Sequence, residues 1–372
     1  MKKIAVFLGD FFWSSIPYDG IRLHQILSQK IDTDFLMFDK DIRLTKKFTG
    51  KEKFFFETSI FQNTKNLKTL SNWEDLKSVT KDYDLVLSSA HIAPKTRYPS
   101  PTSIKNYHCP FAVWDIGGAD ILTNSKFASI HFVKGPIWKK FLVDNGSQEK
   151  NVFVTGSPHY DPYNTELFGQ KEKDNFFKKY QINDSRGFIL VCPTNPASHT
   201  EQFNQNLVEL EKLISLASKS NLKVLLKTYP GDYLFFEKQF EFSGVYKRTQ
   251  GNQPQYEMLN SKFPELVVVE SQDHFNAIMF CDALFNMSGS HIAWETHFSL
   301  AKSYSINYKN KKYYNTVSYL KNVTYPDDLY NTNINSIEEI MSFTKSSKED
   351  NDYITRNDSC NNIAQLILSN TL

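Results

Sequence analysis

Short, continuously apolar runs alternate with longer amphipathic stretches along most of the chain. This is the pattern of parallel strands covered on both faces by helices. The first series of runs lies at residues 3–8 (KIAVFL), 33–38, 84–89 (DLVLSS), 111–114 (FAVW), 129–133 (SIHFV) and 152–155 (VFVT). An amphipathic stretch with Ile21, Leu23, Ile26 and Leu27 follows the first run. A second series opens at residues 187–192 (GFILVC) and continues through a helix with apolar positions Leu207, Leu210, Leu213, Ile214 and Leu216. Runs at 223–227 (KVLLK) and 266–269, a short helix at 274–280, a run at 283–286 (ALFN), a helix from about 291 and a run at 303–306 complete it. The polar segment 165–184 reads as a helix leading into the second series, and residues 352–368 read as a C-terminal helix. The predicted fold class is therefore α/β with parallel sheets, divided into domains at residues 1–163 and 164–345. A C-terminal helix within 346–372 follows, and packing back on the first domain is one arrangement open to it.

A length of 372 residues suits two domains. A net charge of +2 excludes a dedicated nucleic-acid binder, which needs a strongly basic surface. With 40% hydrophobic and 23% charged residues, disordered and fibrous classes are excluded as well. An aromatic content of 15% is more than a core requires, so some rings line a groove or meet a partner or membrane surface. Two aromatic and basic stretches, 46–61 and 310–321, lie outside the alternation. They read either as solvated insertions or as an interfacial surface for lipid head groups or a lipid-linked acceptor.

The N-terminal apolar run is broken by Asp10 and has no small-residue cleavage site, so it reads as a strand and not a signal peptide. No stretch approaches the ~18 apolar residues of a membrane span. Cys109, Cys192, Cys281 and Cys360 form no C-x-x-C pair, which argues against a zinc site or a disulfide framework. The expected home is the cytoplasm, with peripheral contact at the inner membrane face if the aromatic stretches are interfacial.

Ligands of open parallel sheets bind beyond the carboxyl ends of the strands, so the residues directly after each run are the candidates. The segment ALFNMSGSHIAWE is the strongest, because Ser288, Gly289 and Ser290 open a helix, where free N–H groups and hydroxyls suit a phosphate. His291 belongs to the same turn, and Glu295 lies where a carboxylate can accept bonds from ribose hydroxyls. Gly156 in VTGSPHYD suits a hinge loop beside a nucleotide, and Thr194 in VCPTN suits a phosphate contact. Lys227 in LLKTYPGD can pair with diphosphate oxygens. In the first half, Asp115 in VWDIGGAD is the candidate general base, with His91 in SSAHIAP as its rival. The competing readings of these positions are ordinary helix caps, Gly-Pro turns and solvated loop residues. No GxGxxG, P-loop, GxSxG or HExxH motif is present. The DxD at Asp32-Thr33-Asp34 reads as a turn, and no catalytic metal is indicated.

The ordered motifs VFVTGSPHYD, ILVCPTN, VLLKTYP and CDALFNMSGSHIAWE resemble the C-terminal half of GT-B-fold glycosyltransferases. They are most similar to the CDP-glycerol glycerophosphotransferase-like and capsule-polymer transferases, and non-hydrolysing UDP-N-acetylglucosamine 2-epimerases share much of the pattern. The resemblance implies two facing Rossmann-like domains with a cleft between them, the first for the acceptor and the second for the donor. It implies no tightly bound cofactor and no metal, with a UDP-, CDP- or CMP-linked donor as substrate and a saccharide or lipid-linked acceptor. By position, Ser288, Gly289 and Ser290 would hold donor phosphates, Glu295 the ribose, and Lys227 and Thr194 the diphosphate. Two departures stand out: Tyr229 replaces the His before Pro230, and Trp114-Asp115-Ile116-Gly117-Gly118 stands where the relatives carry a His-containing base motif. The implied activity is transfer of a glycosyl or glycerophosphoryl-type group. A sugar-nucleotide 2-epimerase and a noncatalytic nucleotide-sugar or glycan-binding component of a polysaccharide assembly complex are the alternatives.

Overall fold

The computed structural model describes residues 3–7, 18–38, 66–89, 107–115, 128–164, 168–183, 187–192, 200–220, 222–227, 258, 261–269, 273–286, 295, 302–305, 355 and 357–369. The chain forms two compact units. The first joins Met1–Asn164 to Thr316–Lys321 and Asp350–Leu372, and the second joins Thr165–Asn315 to Asn322–Glu349.

In the first unit, seven parallel strands are described: β1 (Lys3–Phe7), β2 (Asp32–Phe38), β3 (Leu67–Leu70), β4 (Leu85–Ser89), β5 (Phe111–Trp114), β6 (Ile130–Val133) and β7 (Val152–Val154). Their order is β3-β2-β1-β4-β5-β6-β7, so the winding reverses between β1 and β4. Three helices cross between strands: α1 (Tyr18–Leu27), α2 (Trp73–Val79) and α3 (Pro136–Asp144). The central strands bury nearly every side chain, from Ile4–Phe7 to Phe132–Val133, as a sheet covered on both faces must. One core cluster packs Ala5, Phe7, Leu36, Phe38, Leu76 and Val86 together.

The second unit holds β8 (Phe188–Cys192), β9 (Lys223–Leu226), β10 (Val267–Val268), β11 (Ala283–Asn286) and β12 (Lys302–Ser305), in the order β10-β9-β8-β11-β12. Here the winding reverses between β8 and β11. Its helices are α4 (Gln170–Tyr180), α5 (Thr200–Lys219) and α6 (His274–Phe280). Leu210, Leu213, Ile214 and Ala217 of α5 pack on Ile189, Val191, Val224 and Leu226. Asp273, just before α6, accepts bonds from Lys179 Nζ at 2.6 Å and Tyr180 Oη at 2.7 Å, tying α4 to α6. Gly187 starts β8 with φ +75°, and a Cβ there would overlap the Asp282 carboxylate, which accepts the Phe188 N–H at 2.9 Å.

Each strand run read from the hydrophobic pattern appears as a strand, with ends shifted by a residue or two. Three elements went unread, α3 among them. Leu67–Leu70 is an edge strand with two exposed residues, so its apolar signal is weak. α2 follows directly, with Asn72 accepting the Glu74 and Asp75 N–H groups and acidic residues in its first turn, a start signal present in the sequence as NWED. The DxD expectation is corrected: Asp32-Thr33-Asp34 opens β2 and is not a turn. Asp34 is buried, accepts a bond from Tyr83 Oη at 2.7 Å and pairs with Lys68 at 2.6 Å.

The last helix, α7 (Ser359–Leu368), belongs to the first unit and packs on α1 and on the 3-10 segment Pro158–Asn164. Arg22 of α1 bonds to Asp358 at 2.9 Å.

Candidate functional site

Both sheets present polar residues at their carboxyl ends, the end where open parallel sheets take ligands. In the first unit, Asp115 follows β5, Lys134 follows β6, and Thr155, Gly156 and Ser157 follow β7. Backbone bonds hold these exits side by side: Asp115 N to Phe132 O at 2.9 Å, and Thr155 N to Val133 O at 3.1 Å. Lys134 Nζ lies 3.0 Å from Asp115 Oδ2, with both side chains fully buried. The ammonium also stands 4.0 Å from the centre of the Trp138 ring on α3. Ser157 Oγ donates to the Asp115 carbonyl.

The C-terminal segment closes around the same exits. Thr355 N donates to Lys134 O at 2.7 Å, and Asn362 Nδ2 donates to Thr155 O at 3.4 Å. Gly156, with φ +79°, leaves room that Asn357 and Ser359 fill, so a side chain at this position would overlap both. The Asp161 carboxylate accepts the Ser359 and Cys360 N–H groups at 2.9 and 2.8 Å. Burial raises the Asp161 carboxyl above its ordinary range, and those backbone bonds oppose the shift.

In the second unit, Cys192 ends β8 and is the register partner of Asn286, the last residue of β11. Lys227 directly follows β9 and donates its N–H to Val191 O at 2.8 Å. The chain therefore leaves β8, β9 and β11 at one edge of the sheet. Burial pushes the Cys192 thiol up to about 12, with the Lys227 charge lowering it and the Glu295 charge raising it. Lys227 and Glu295 are both half-buried. His274, the first residue of α6, is held neutral by burial and next by the Lys227 charge, with a bond to the Val269 carbonyl opposing.

Of the sequence-predicted residues, the structure places Lys227 directly after β9 and Asp115 and Gly156 at the first unit's carboxyl edge, and Glu295 is half-buried. His91, Thr194, Ser288, Gly289, Ser290 and His291 lie outside the described residues, as do stretches 46–61 and 310–321. Lys134 and His274 were not singled out from the sequence. Lys134 stands directly after a predicted strand, so the rule that selected Asp115 would have selected it too. Among the described residues there is no cluster of three or more His, Cys, Asp or Glu able to hold a metal ion, and no helix is long and apolar enough to cross a membrane.

Solved structures share this architecture over nearly the whole chain. The UDP-GlcNAc 2-epimerase of Methanocaldococcus jannaschii in complex with UDP-GlcNAc and UDP superposes with a TM-score of 0.59 at 12% identity, covering 99% of both chains. S. aureus MnaA with UDP gives 0.60 at 13% identity over 100% of this chain and 98% of the other. The wall teichoic acid polymerase TagF gives 0.58 at 8% identity over 99% and 88%. The chain has the GT-B fold. Its sequence matches no protein-family model and no curated protein. In GT-B terms, the strand end carrying Lys227 belongs to the C-terminal Rossmann-like unit, and those carrying Asp115 and Lys134 to the N-terminal one.

Proposed function

We propose that the protein is a GT-B transferase that moves a glycosyl or polyol-phosphate group from a UDP-, CDP- or CMP-activated donor to a hydroxyl of a surface polysaccharide or lipid-linked acceptor. The observation that carries this reading is the place of Lys227, directly after β9 and bonded through its N–H to Val191 of β8, beside the reversal of winding in the second sheet. A cation at a strand-end switch point is complementary to diphosphate oxygens, and Glu295, further along the chain after β11, would accept bonds from the ribose hydroxyls. Ser288, Gly289, Ser290 and His291 would cradle the phosphates at the helix start, with Thr194 as a further contact. Asp115 is the proposed base, with His91 as its alternative. It takes the proton of the acceptor hydroxyl as that oxygen forms its new bond and the nucleotide leaves with the electron pair of the broken one. Lys227 then stabilises charge on the departing phosphate. The fold neighbours solved with UDP and UDP-GlcNAc support a nucleotide-sugar ligand.

A 2-epimerase is the second reading, favoured by full-length superposition on epimerase structures. One experiment separates the two. Thermal melts with UDP, CDP, CMP, GDP and ADP identify the nucleotide, since a ligand that binds only the folded state raises Tm. NMR then follows the matching sugar or polyol donor with and without a saccharide acceptor. The expected result is a higher Tm with one pyrimidine nucleotide, lost in Glu295→Ala, and donor turnover that requires acceptor. Isomerisation without acceptor selects the epimerase. Binding without either reaction selects a noncatalytic binding component, and a cooperative melt that no nucleotide moves overturns the nucleotide site altogether.

A further inference from the structure

Resting on the transferase reading, we propose that Lys134 is a positioning residue that acts on the reaction through Asp115, as one half of a water-excluded charge pair. The two groups come from the ends of adjacent strands, stand 3.0 Å apart and are both fully buried. Desolvating two charges costs so much that an apolar pair of similar volume generally supports a fold as well or better. Stability alone therefore gives no reason for this pair. Its place does, because it sits at the carboxyl edge of the sheet and not in the apolar layers that hold Phe132 and Leu142.

Lys134 is built in on three sides. The Trp138 ring stands 4.0 Å from its ammonium, its carbonyl accepts the Thr355 N–H at 2.7 Å, and the carbonyl of its partner Asp115 accepts a bond from Ser157 Oγ. These contacts come from α3, from the C-terminal segment and from the loop after β7. With that scaffold the ammonium fixes which way the Asp115 carboxylate points, as a base acting on a hydroxyl requires.

The test uses the full-length protein and three variants: Asp115→Asn, Lys134→Met, and both together. Lys134→Met alone leaves a buried carboxylate without its cation, so its Tm falls well below wild type. The double variant carries no charge, and its Tm recovers toward wild type. Folded Lys134→Met, assayed well below its Tm, turns over the donor identified for the wild type about 100-fold or more slowly. That loss falls on kcat, while the donor KM and the Kd for the free nucleotide stay within about twofold, because the proposed nucleotide residues are in the other unit. A folded Lys134→Met with wild-type kcat shows a purely structural pair and overturns this proposal, while the transferase reading stands. A wild-type protein that binds no nucleotide and turns over no donor overturns both. Loss of nucleotide affinity in the double variant overturns the positioning role, since the pair then acts on binding.

Discussion

His24 and His274 show how burial converts a titratable group into a pH-dependent contribution to stability. Burial lowers the pKa of each below the ordinary value of 6.5, and it is the largest cause in both. His24 gains a bond to the Thr33 carbonyl at 3.1 Å, but this does not offset the loss of solvent. Both imidazoles take up a proton less readily in the folded chain than in the unfolded one, which protonates as pH falls below about 6.5. The unfolded state then binds more protons, so stability falls with falling pH, by at most about 1.4 kcal/mol per pH unit for each histidine. We expect Tm to drop between pH 7 and pH 5, and a His24→Gln, His274→Gln double variant to show a shallower drop over the same range. Equal slopes for both proteins would rule these histidines out as the source.

At the scale of elements, α7 depends on an acceptor far away in sequence. Asp358 caps the Asn361 N–H, while Asp161 supplies the acceptor for the Ser359 and Cys360 N–H groups. Two of the orphan donors at this helix start are therefore satisfied by the loop after β7. Asp161→Ala leaves both without their acceptor in a buried setting, a loss of about 2–6 kcal/mol at 1–3 kcal/mol per group. Hydrogen exchange should then accelerate in α7, while β8 and β9 keep their protection. Elements of this kind were legible only in part. The apolar positions Ile363 and Ile367 announced the helix, but its start was read early, at 352. The cap that starts it at Ser359 depends on a carboxylate that no local pattern can pair with it. The strands were easier to read because burial on both faces leaves an uninterrupted apolar run, as in FILVC. The edge strand LKTL, with its middle residues exposed, leaves no such mark.

For the whole molecule, the chain order and the folded units do not coincide. Residues 350–372 come after the second unit in sequence and belong to the first. Deleting them removes Ser359 and Cys360 from Asp161, Asp358 from Arg22 and Thr355 from Lys134. The first unit is therefore expected to lose stability. In hydrogen exchange of the truncated chain, α1 and the β6 and β7 ends should open, while the β8 and β11 ends stay protected. Uniform loss of protection in both units would show that the segment supports the whole chain and not one unit.

The amino-acid sequence alone determined the α/β class, most strand positions and the strand-end rule that singled out Asp115, Lys227 and Glu295. These properties are local, since an apolar run of five residues and the polar residue after it need no distant partner to be recognised. Tertiary structure decided which of those residues meet. Lys227 bonds to Val191 because β9 pairs with β8 in a fixed register. Asp115 faces Lys134 because β5 pairs with β6 in a fixed register. Gly156 is required because the C-terminal segment returns to fill the space beside it. Each of these is a pairing between positions far apart in sequence, set by strand order and packing, and periodicity along the chain carries no record of it.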